Sequence, residues 1–134
     1  MYDRELTAIN KAIVRSFYEG GTDNKAKDYG QIFHPDFTVT APDYLPWGGT
    51  SHLDDYLSKV LPQVTSVIDF SQCEINSLVG ENENIVIVVT FGVIGTSFKV
   101  TISEHWVVKE KLATSLWVAY FEPQALMDRI AKKA

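Results

Sequence analysis

The chain has 134 residues, of which 46% are hydrophobic and 22% are charged. These values suit one globular domain with a single core and argue against a disordered or fibrous protein. Its 17 acidic residues outnumber its 12 lysines and arginines, and the formal net charge is −5. Because no basic patch stands out, we expect neither nucleic acid nor an anionic membrane surface as a partner.

The sequence carries no pattern typical of export or of a membrane anchor. No N-terminal signal pattern is seen, and the longest apolar run, Ile85–Val89, is much too short to span a bilayer. The single cysteine, Cys73, allows no internal disulfide. We therefore expect a soluble, cytoplasmic protein that forms one domain over residues 1–134.

The first third of the chain has the periodicity of helices. Apolar residues recur there at spacings of three and four, the pattern of one face of an amphipathic helix: Leu6, Ile9, Ile13 and Phe17. A second, shorter helix is predicted over residues 25–33. It should end at His34-Pro35, because the residue before a proline disfavours the helical conformation.

A short strand and a loop are predicted next. The strand is indicated by apolar residues that alternate with threonines: Phe37, Val39 and Ala41. Residues 42–50, PDYLPWGGT, are predicted as a loop because two prolines and two glycines interrupt any regular element. The loop also carries large apolar groups, among them Trp47, which a solvated loop rarely needs. We therefore expect it to pack over another part of the protein.

The rest of the chain predicts one more helix, four strands and a short C-terminal helix that begins near Pro123. Ser51 and Asp54 resemble a capping box at the start of the third helix. The four strands are predicted at residues 66–79, 84–94, 97–109 and 114–122. Short connections favour antiparallel pairing, and a slip in the alternation within 66–79 predicts a bulge.

This order of elements indicates an α+β fold, in which helices cover one face of a curved antiparallel sheet. Three helices cannot fill a bent sheet completely. We therefore expect a cavity between the helices and the sheet, and cavities of this kind are where small ligands bind.

One carboxylate interrupts the apolar face of the strand SFKVTISEHWVVK, residues 97–109. Every second residue there is apolar except Glu104, and a lone charge on such a face is costly unless it is paired or protonated. Three interpretations are open: Glu104 meets a cation from a helix, it lines a ligand cavity, or the strand shifts register and exposes it. The last would bury polar residues instead, among them Lys99 and Thr101.

An inward, unpaired Glu104 could act as an acid or as a base. Desolvation raises the pKa of such a carboxyl group, whose neutral form could donate to an oxyanion and whose ionised form could act as a base. Glu122, late in the next strand, either caps the following helix near the surface or contributes to a pocket. The three histidines lack metal-ligand spacing, so no metal site is predicted: His34, His52 and His105.

Three stretches of the chain resemble the nuclear transport factor 2-like superfamily, in its SnoaL-like and ketosteroid isomerase-like branch. They are IFHPDFTVTAP (32–42), LPWGGT (45–50), and SEHWVVKE with WVAYFEP (103–110 and 117–123). The likeness covers nearly the whole chain. It implies a cone-shaped, strongly curved antiparallel sheet closed by three N-terminal helices, with a short C-terminal helix and a deep pocket. It also implies a homodimer packed through the outer face of the sheet.

The resemblance carries over unevenly to functional residues. Ala41 stands where ketosteroid isomerases have their general base, an Asp before a proline, so steroid isomerisation by the known route is not expected. Phe17, with Tyr18 beside it, matches the tyrosine that serves the oxyanion. Glu104 matches the neutral acid of the same oxyanion hole. In SnoaL-like cyclases, which use no cofactor, a second pocket acid often comes from the last strand, where this chain has Glu122.

The sequence thus predicts a small-molecule pocket protein that acts without a cofactor on a hydrophobic, carbonyl-containing ligand, as an isomerase, cyclase or dehydratase. The predicted catalytic residues are Glu104, Glu122 and Tyr18. The residues predicted to form apolar walls for the ligand are Phe17, Phe33, Trp47, Trp106 and Tyr120. The alternative is a non-catalytic binding or dimerisation module in which Glu104 pairs with Arg4 or Arg15. Of these two partners we expect Arg15, because it lies deeper in the first helix.

Overall fold

The structure, a computed structural model, describes residues 1–19 and 31–132. Their helices and strands are, in chain order, α1 (Arg4–Tyr18), β1 (Phe33–Ala41), β2 (Gly49–His52), α2 (Leu53–Asp55), a π-helical segment (Tyr56–Val60), α3 (Leu61–Thr65), β3 (Ile68–Glu81), β4 (Asn84–Val93), β5 (Lys99–Lys109), β6 (Leu112–Phe121) and α4 (Gln124–Lys132). The predicted α+β class is confirmed. Of the helices in these two ranges, none combines the length and the hydrophobicity that crossing a bilayer requires.

Within the described residues, the strands form one sheet of six, in the order β2-β1-β6-β5-β4-β3. The sheet is curved and does not close on itself. Neighbouring strands are antiparallel except β1 and β6, which run parallel. The prediction of a wholly antiparallel sheet is therefore wrong at this pair. Its cause is long-range: β6, the last strand, pairs with the first, and no local pattern reveals the direction in which two such distant strands meet.

The second predicted helix is corrected at its C-terminal end. Residues 25–30 of that helix lie outside the described ranges, whereas Phe33 begins β1 and is buried. His34-Pro35 therefore lies within a strand. The β1–β6 register is irregular between Phe33 and Thr38, so Pro35 sits where no regular ladder requires an N–H from it.

The predicted capping box is also wrong. Ser51 belongs to β2, where it pairs with Val39, and His52 occupies the position before the helix without a side-chain capping bond. The α-helical backbone is then interrupted by the π-helical segment, which buries Tyr56 and Val60. Because Ser51 pairs with β1, it does not cap the start of the helix, although its local sequence suggests that it would.

The bulge expected in the long third strand is observed. The β3–β4 register shifts between Asp69 and Cys73, and again between Ile75 and Ser77. Each irregularity bends the strand and increases its twist, because β3 has more residues than β4 between the paired positions. The bent strand helps the sheet to wrap around the helices that cover its inner face.

Aromatic rings fill much of the space between the inner sheet face and the helices. Phe33 stacks on Trp106 with 6.1 Å between the ring centroids, and Phe37 lies 4.6 Å from Phe33. Phe17 of α1 meets Trp106 edge-on at 5.5 Å. At the other end of the chain, α4 is anchored by Leu126, which is fully buried. The core is therefore continuous from α1 across the sheet to α4.

The turn between β3 and β4 is tied to the N-terminal segment by Asn82, whose backbone φ is 58°. Its side-chain oxygen accepts from the Asp3 backbone N–H at 2.6 Å, and its side-chain amide donates to the Met1 carbonyl at 2.7 Å. Its backbone N–H donates to Thr7 at 2.8 Å, and its carbonyl accepts from Asn10 at 2.9 Å. Asn82 therefore holds the start of α1 against the sheet.

We predict that Asn82→Ala lowers the free energy of unfolding by about 2 to 3 kcal/mol, because it removes two side-chain hydrogen bonds and strains the left-handed backbone. Asn82→Gly is the matched control, since it loses the same bonds but tolerates positive φ, and its loss should be about 1 kcal/mol smaller. Urea denaturation of the two variants measures the difference. Equal losses would contradict the role given to the backbone conformation.

Candidate functional site

Glu104 lies on β5, on the inner face of the sheet, with 8% of its surface exposed. The neighbouring strands place Ile87 and Val118 directly opposite it on its two sides. The register is therefore the one that the apolar alternation predicted, and the exposed interpretation is excluded. Within residues 1–19 and 31–132, no lysine or arginine pairs with Glu104, and Arg4 and Arg15 are both exposed.

The partner of the carboxyl group is a tyrosine at the end of α1. The Tyr18 hydroxyl donates to Glu104 Oε1 over 2.7 Å, and both side chains are buried. The indole N–H of Trp106, two residues after Glu104 on the same strand, donates to the Tyr18 hydroxyl over 3.1 Å. A chain of three polar groups thus crosses an otherwise apolar interior. It joins residues that are 86 and 88 positions apart in the sequence.

Burial raises the pKa of Glu104 from 4.5 to about 7, and the hydrogen bond from Tyr18 opposes the shift. At neutral pH the carboxyl group is therefore distributed between its neutral and ionised forms. The pKa of Tyr18 is raised well above its usual value by burial, and next by the nearby charge of Glu104. Tyr18 consequently keeps its proton and remains a donor, while Glu104 can exchange its proton with a ligand.

A cavity lies against Glu104. Its aromatic lining consists of Phe17, Trp47, Tyr56, Phe70, Phe91 and Tyr120. The cavity volume is about 40 Å³. That room suits a few waters or a thin, flat group. A larger ligand would require wall side chains to move.

The loop predicted to pack over another part of the protein closes one side of this cavity. Leu45 and Trp47 are buried, and Trp47 lines the cavity together with Tyr120 of β6. The pKa of Tyr120 is raised, first by burial and then by the charge of Glu104. Gly48 cannot carry a side chain here, because a Cβ atom would collide with the Pro42 carbonyl oxygen. The glycine therefore permits the tight turn that presents Trp47 to the cavity.

The structure brings some of the predicted wall residues to the cavity and leaves others behind it. Phe17, Trp47 and Tyr120 line it. Phe33 and Trp106 are buried in the aromatic layer, the packed rings of Phe17, Phe33, Phe37 and Trp106, and neither of the two lines the cavity. Tyr18 does not line it either, and its hydroxyl is linked to the cavity by the hydrogen bond to Glu104.

Glu122 lies apart from these groups. It is exposed, follows the end of β6 and has a backbone φ of 48°. It is not among the cavity-lining residues, so the structure does not bring the two predicted carboxylates together. Ala41, which stands at the position of the missing base, does line the cavity. Among the described residues that line this cavity, Glu104 is the one carboxylate.

Several cavity residues were missed by the sequence analysis as site residues. Phe70 and Phe91, from β3 and β4, stack with 4.8 Å between their ring centroids. The bulges in β3 hid which face Phe70 shares with Glu104, whereas Phe91 lies four residues after Ile87, the β4 partner of Glu104, and so shares its face. Tyr56 carried a usable signal, because it lies on the apolar face of its helix four residues before Val60.

Similar proteins are found for this chain by comparing structures and not by comparing sequences. A search with the sequence finds no matching family model and no matching curated protein. An NTF2-like protein of unknown function from Burkholderia pseudomallei K96243 is 20% identical, with a TM-score of 0.69 over 89% of this chain and 95% of that one. A candidate SnoaL-like polyketide cyclase from Jannaschia sp. CCS1 is 10% identical, with a TM-score of 0.76 over 97% and 96% of the two chains.

A third similar structure is that of TerC co-crystallised with polyporic acid. It is 18% identical, with a TM-score of 0.71 over 92% of this chain and 98% of that one. At such low identity, these likenesses establish a shared fold and leave the activity open.

We predict that Glu104 makes stability depend on pH between about 4.5 and 7. Both states are protonated below the unfolded-state pKa, where the stabilising contribution is complete. As pH rises to 7, the unfolded chain loses the proton first and the contribution is lost, by about 3 kcal/mol. Glu104→Gln lacks this dependence. Urea denaturation at several pH values checks it, and parallel curves for the two proteins would contradict it.

Proposed function

We propose that this chain, which has the nuclear transport factor 2-like fold, binds a hydrophobic, carbonyl-containing small molecule and moves a proton on it without a cofactor. The observation that carries this proposal is Glu104, a buried carboxyl group with a pKa of about 7 at the wall of an aromatic cavity. A group with a pKa near the working pH can both accept and donate a proton, which is the requirement for general acid–base catalysis.

A single carboxyl group is sufficient for an isomerisation. The ionised form of Glu104 removes a proton from a carbon next to the ligand carbonyl, and the negative charge moves onto the carbonyl oxygen. The resulting neutral acid then returns the proton to the far carbon of a carbon–carbon double bond that is conjugated with the enolate, so that the double bond shifts and the carbonyl is restored. Because Glu122 lies outside the cavity, this one-group shuttle fits the site better than a cyclisation or dehydration that divides acid and base between two carboxylates.

The cavity favours an uncharged, flat ligand. No lysine, arginine or histidine is among its described lining residues, so a ligand anion would lie against Glu104 without a compensating cation. Aromatic side chains present large apolar faces that pack well against rings. The narrowness of the cavity favours a thin molecule that slides between Trp47 and the sheet.

The similar structures support the class of ligand. One is a candidate polyketide cyclase, and another was crystallised with polyporic acid. Both descriptions concern small organic molecules handled by this fold. They support a small-molecule role here without naming the substrate.

The alternative function is a binding module without catalysis. One observation favours it: Glu104 already has a hydrogen-bond partner in Tyr18, and the open space beside it is small. In that case the carboxyl group serves only to orient a ligand. Proton exchange on the ligand separates the two functions, because a binding module would leave the carbon-bound protons in place.

A second copy of the chain is the proposed partner for the outer face of the sheet. Trp117 and Phe121 of β6 are 51% and 67% exposed there, and Trp117 stacks on His105 with ring centroids 3.9 Å apart. Exposed aromatic groups on a sheet face are typical of protein–protein contacts. The resemblance to homodimeric proteins of this fold points to the same face.

We predict that the protein catalyses hydrogen–deuterium exchange at the sp3 carbons next to the carbonyl in one or more members of a panel of flat aryl alkyl ketones and benzo-fused cyclic ketones in D2O. Mass spectrometry of the recovered compounds measures the exchange. Glu104→Gln should lower the exchange rate by at least about 100-fold, the low end of what a general acid–base group contributes. The rate should rise with pH through about 7 as the base forms.

Glu122→Gln is the matched control, because it removes the same charge from an exposed carboxylate outside the cavity. It should exchange like the unaltered protein. Exchange that persists at full rate in Glu104→Gln would rule out the acid–base role. Tight binding of a panel member without any exchange would favour the binding module.

We predict that Trp117→Glu converts a dimer into a monomer, because it places a charge in the contact and removes a large apolar surface. Tyr44→Glu is the matched control, since Tyr44 is 50% exposed but lies in the loop between β1 and β2. Light scattering coupled to gel filtration measures the mass of each protein. A monomeric unaltered protein, or a dimer that survives Trp117→Glu, would exclude this interface.

A further inference from the structure

Trp106 stands behind the candidate site and is linked to its carboxyl group by a hydrogen bond to Tyr18. Its side chain is 1% exposed, it does not line the cavity, and its indole N–H points at the Tyr18 hydroxyl. The sequence predicted Trp106 as an apolar wall residue for the ligand, and that role does not explain this hydrogen bond. The bond instead suggests how the proton of the neighbouring carboxyl group is oriented.

The donors and acceptors of this chain can be counted completely. An indole N–H can only donate, so the Tyr18 oxygen is the acceptor of the bond from Trp106. A phenol has one proton, which is then directed to its other partner, Glu104 Oε1. Among the described residues these are the two hydrogen bonds of the Tyr18 hydroxyl. The direction of the chain therefore runs from Trp106 through Tyr18 to Glu104.

This direction distinguishes the two oxygens of the carboxyl group. Oε1 is occupied by the Tyr18 proton, and a second proton on Oε1 would face it across 2.7 Å. Oε2 has no hydrogen-bond partner in the part of the chain that the structure describes, and Glu104 lines the cavity whereas Tyr18 does not. The exchangeable proton of the neutral acid thus belongs on Oε2.

We propose that Trp106 is a positioning residue, whose indole N–H fixes the Tyr18 proton on Glu104 Oε1 and so reserves Oε2 for proton transfer with the ligand. The proposal rests on the acid–base function proposed for Glu104 and deepens it. Trp106 acts on the reacting oxygen through Tyr18 and makes no contact with the ligand itself.

The packing around Trp106 keeps its ring in place for this role. Phe33 stacks along the indole at 6.1 Å between centroids, Phe37 lies at 6.2 Å, and Phe17 meets it edge-on at 5.5 Å. A ring held by three neighbours cannot turn its N–H away without disturbing the core. The orientation of the hydrogen bond is therefore set by the apolar core and does not depend on a ligand.

The test is a double-mutant cycle read by carbon-13 NMR titration of protein labelled at the glutamate carboxyl carbon, with Glu104 assigned by its loss in Glu104→Gln. A Tyr18 hydroxyl that accepts from Trp106 is a stronger donor to Glu104, because consecutive hydrogen bonds polarise one another. Trp106→Phe should therefore raise the pKa of Glu104 further, by on the order of half a unit. In the Tyr18→Phe background, the same change should have no effect.

Trp117→Phe, on the outer face, is the control and should leave the titration unchanged. No shift in Trp106→Phe, or the same shift with and without Tyr18, would overturn the positioning role. If Trp106→Phe fails to fold, a benzothiophene analogue of tryptophan installed at position 106 keeps the ring size, replaces the N–H with sulfur, and gives the same comparison.

The titration uses the free protein, so it separates this role from the proposed function. Loss of deuterium exchange with an intact pKa coupling would remove the acid–base function alone. Full exchange without the coupling would remove the role of Trp106 alone.

Discussion

The 2.7 Å hydrogen bond between Tyr18 and Glu104 is the constraint on which the rest of the site depends. A carboxyl group in an apolar interior is costly to ionise, and a neighbouring donor offsets part of that cost. Without Tyr18 the pKa of the group would be higher still, and with a cation beside it the group would remain ionised. A single neutral donor leaves both forms accessible, which is the condition that makes the group useful in proton transfer.

That hydrogen bond requires distant parts of the chain to arrive together. Tyr18 is the last residue of α1, and the start of that helix is held to the β3–β4 turn by Asn82. Glu104 is central to the sheet because β5 lies between β4 and β6. The bulges in β3 bend the sheet toward the helices, and the Gly48 turn presents Trp47 to the space that remains. The cavity is therefore a consequence of how the fold is completed, with Glu104 at its wall.

The site is chemically sparse, and this limits what it can do. Ala41, which cannot act as a base, occupies the cavity wall, and Glu122 is at the surface. One carboxyl group can remove and return the same proton, whereas reactions that need two separate carboxylates lack the second one here. The aromatic layer behind the site does not replace the second carboxylate, but it orients the one that is present. It fixes Trp106, and through Tyr18 it can decide which oxygen of Glu104 is available.

The sequence by itself determined the α+β class, the bulged strand, and the inward direction of Glu104, because these follow from local periodicity. The family resemblance matched Phe17, with Tyr18 beside it, to the tyrosine that serves the oxyanion, but two adjacent residues of a helix cannot be ranked without knowing how the helix is rotated. The parallel pairing of β1 with β6, the strand at Ser51, and the position of Phe33 were decided only in the tertiary structure. Each depends on a partner strand far away in the chain, and so does the separation of Glu122 from Glu104. Local sequence can specify which way a side chain points, but only the packed chain specifies what it meets there.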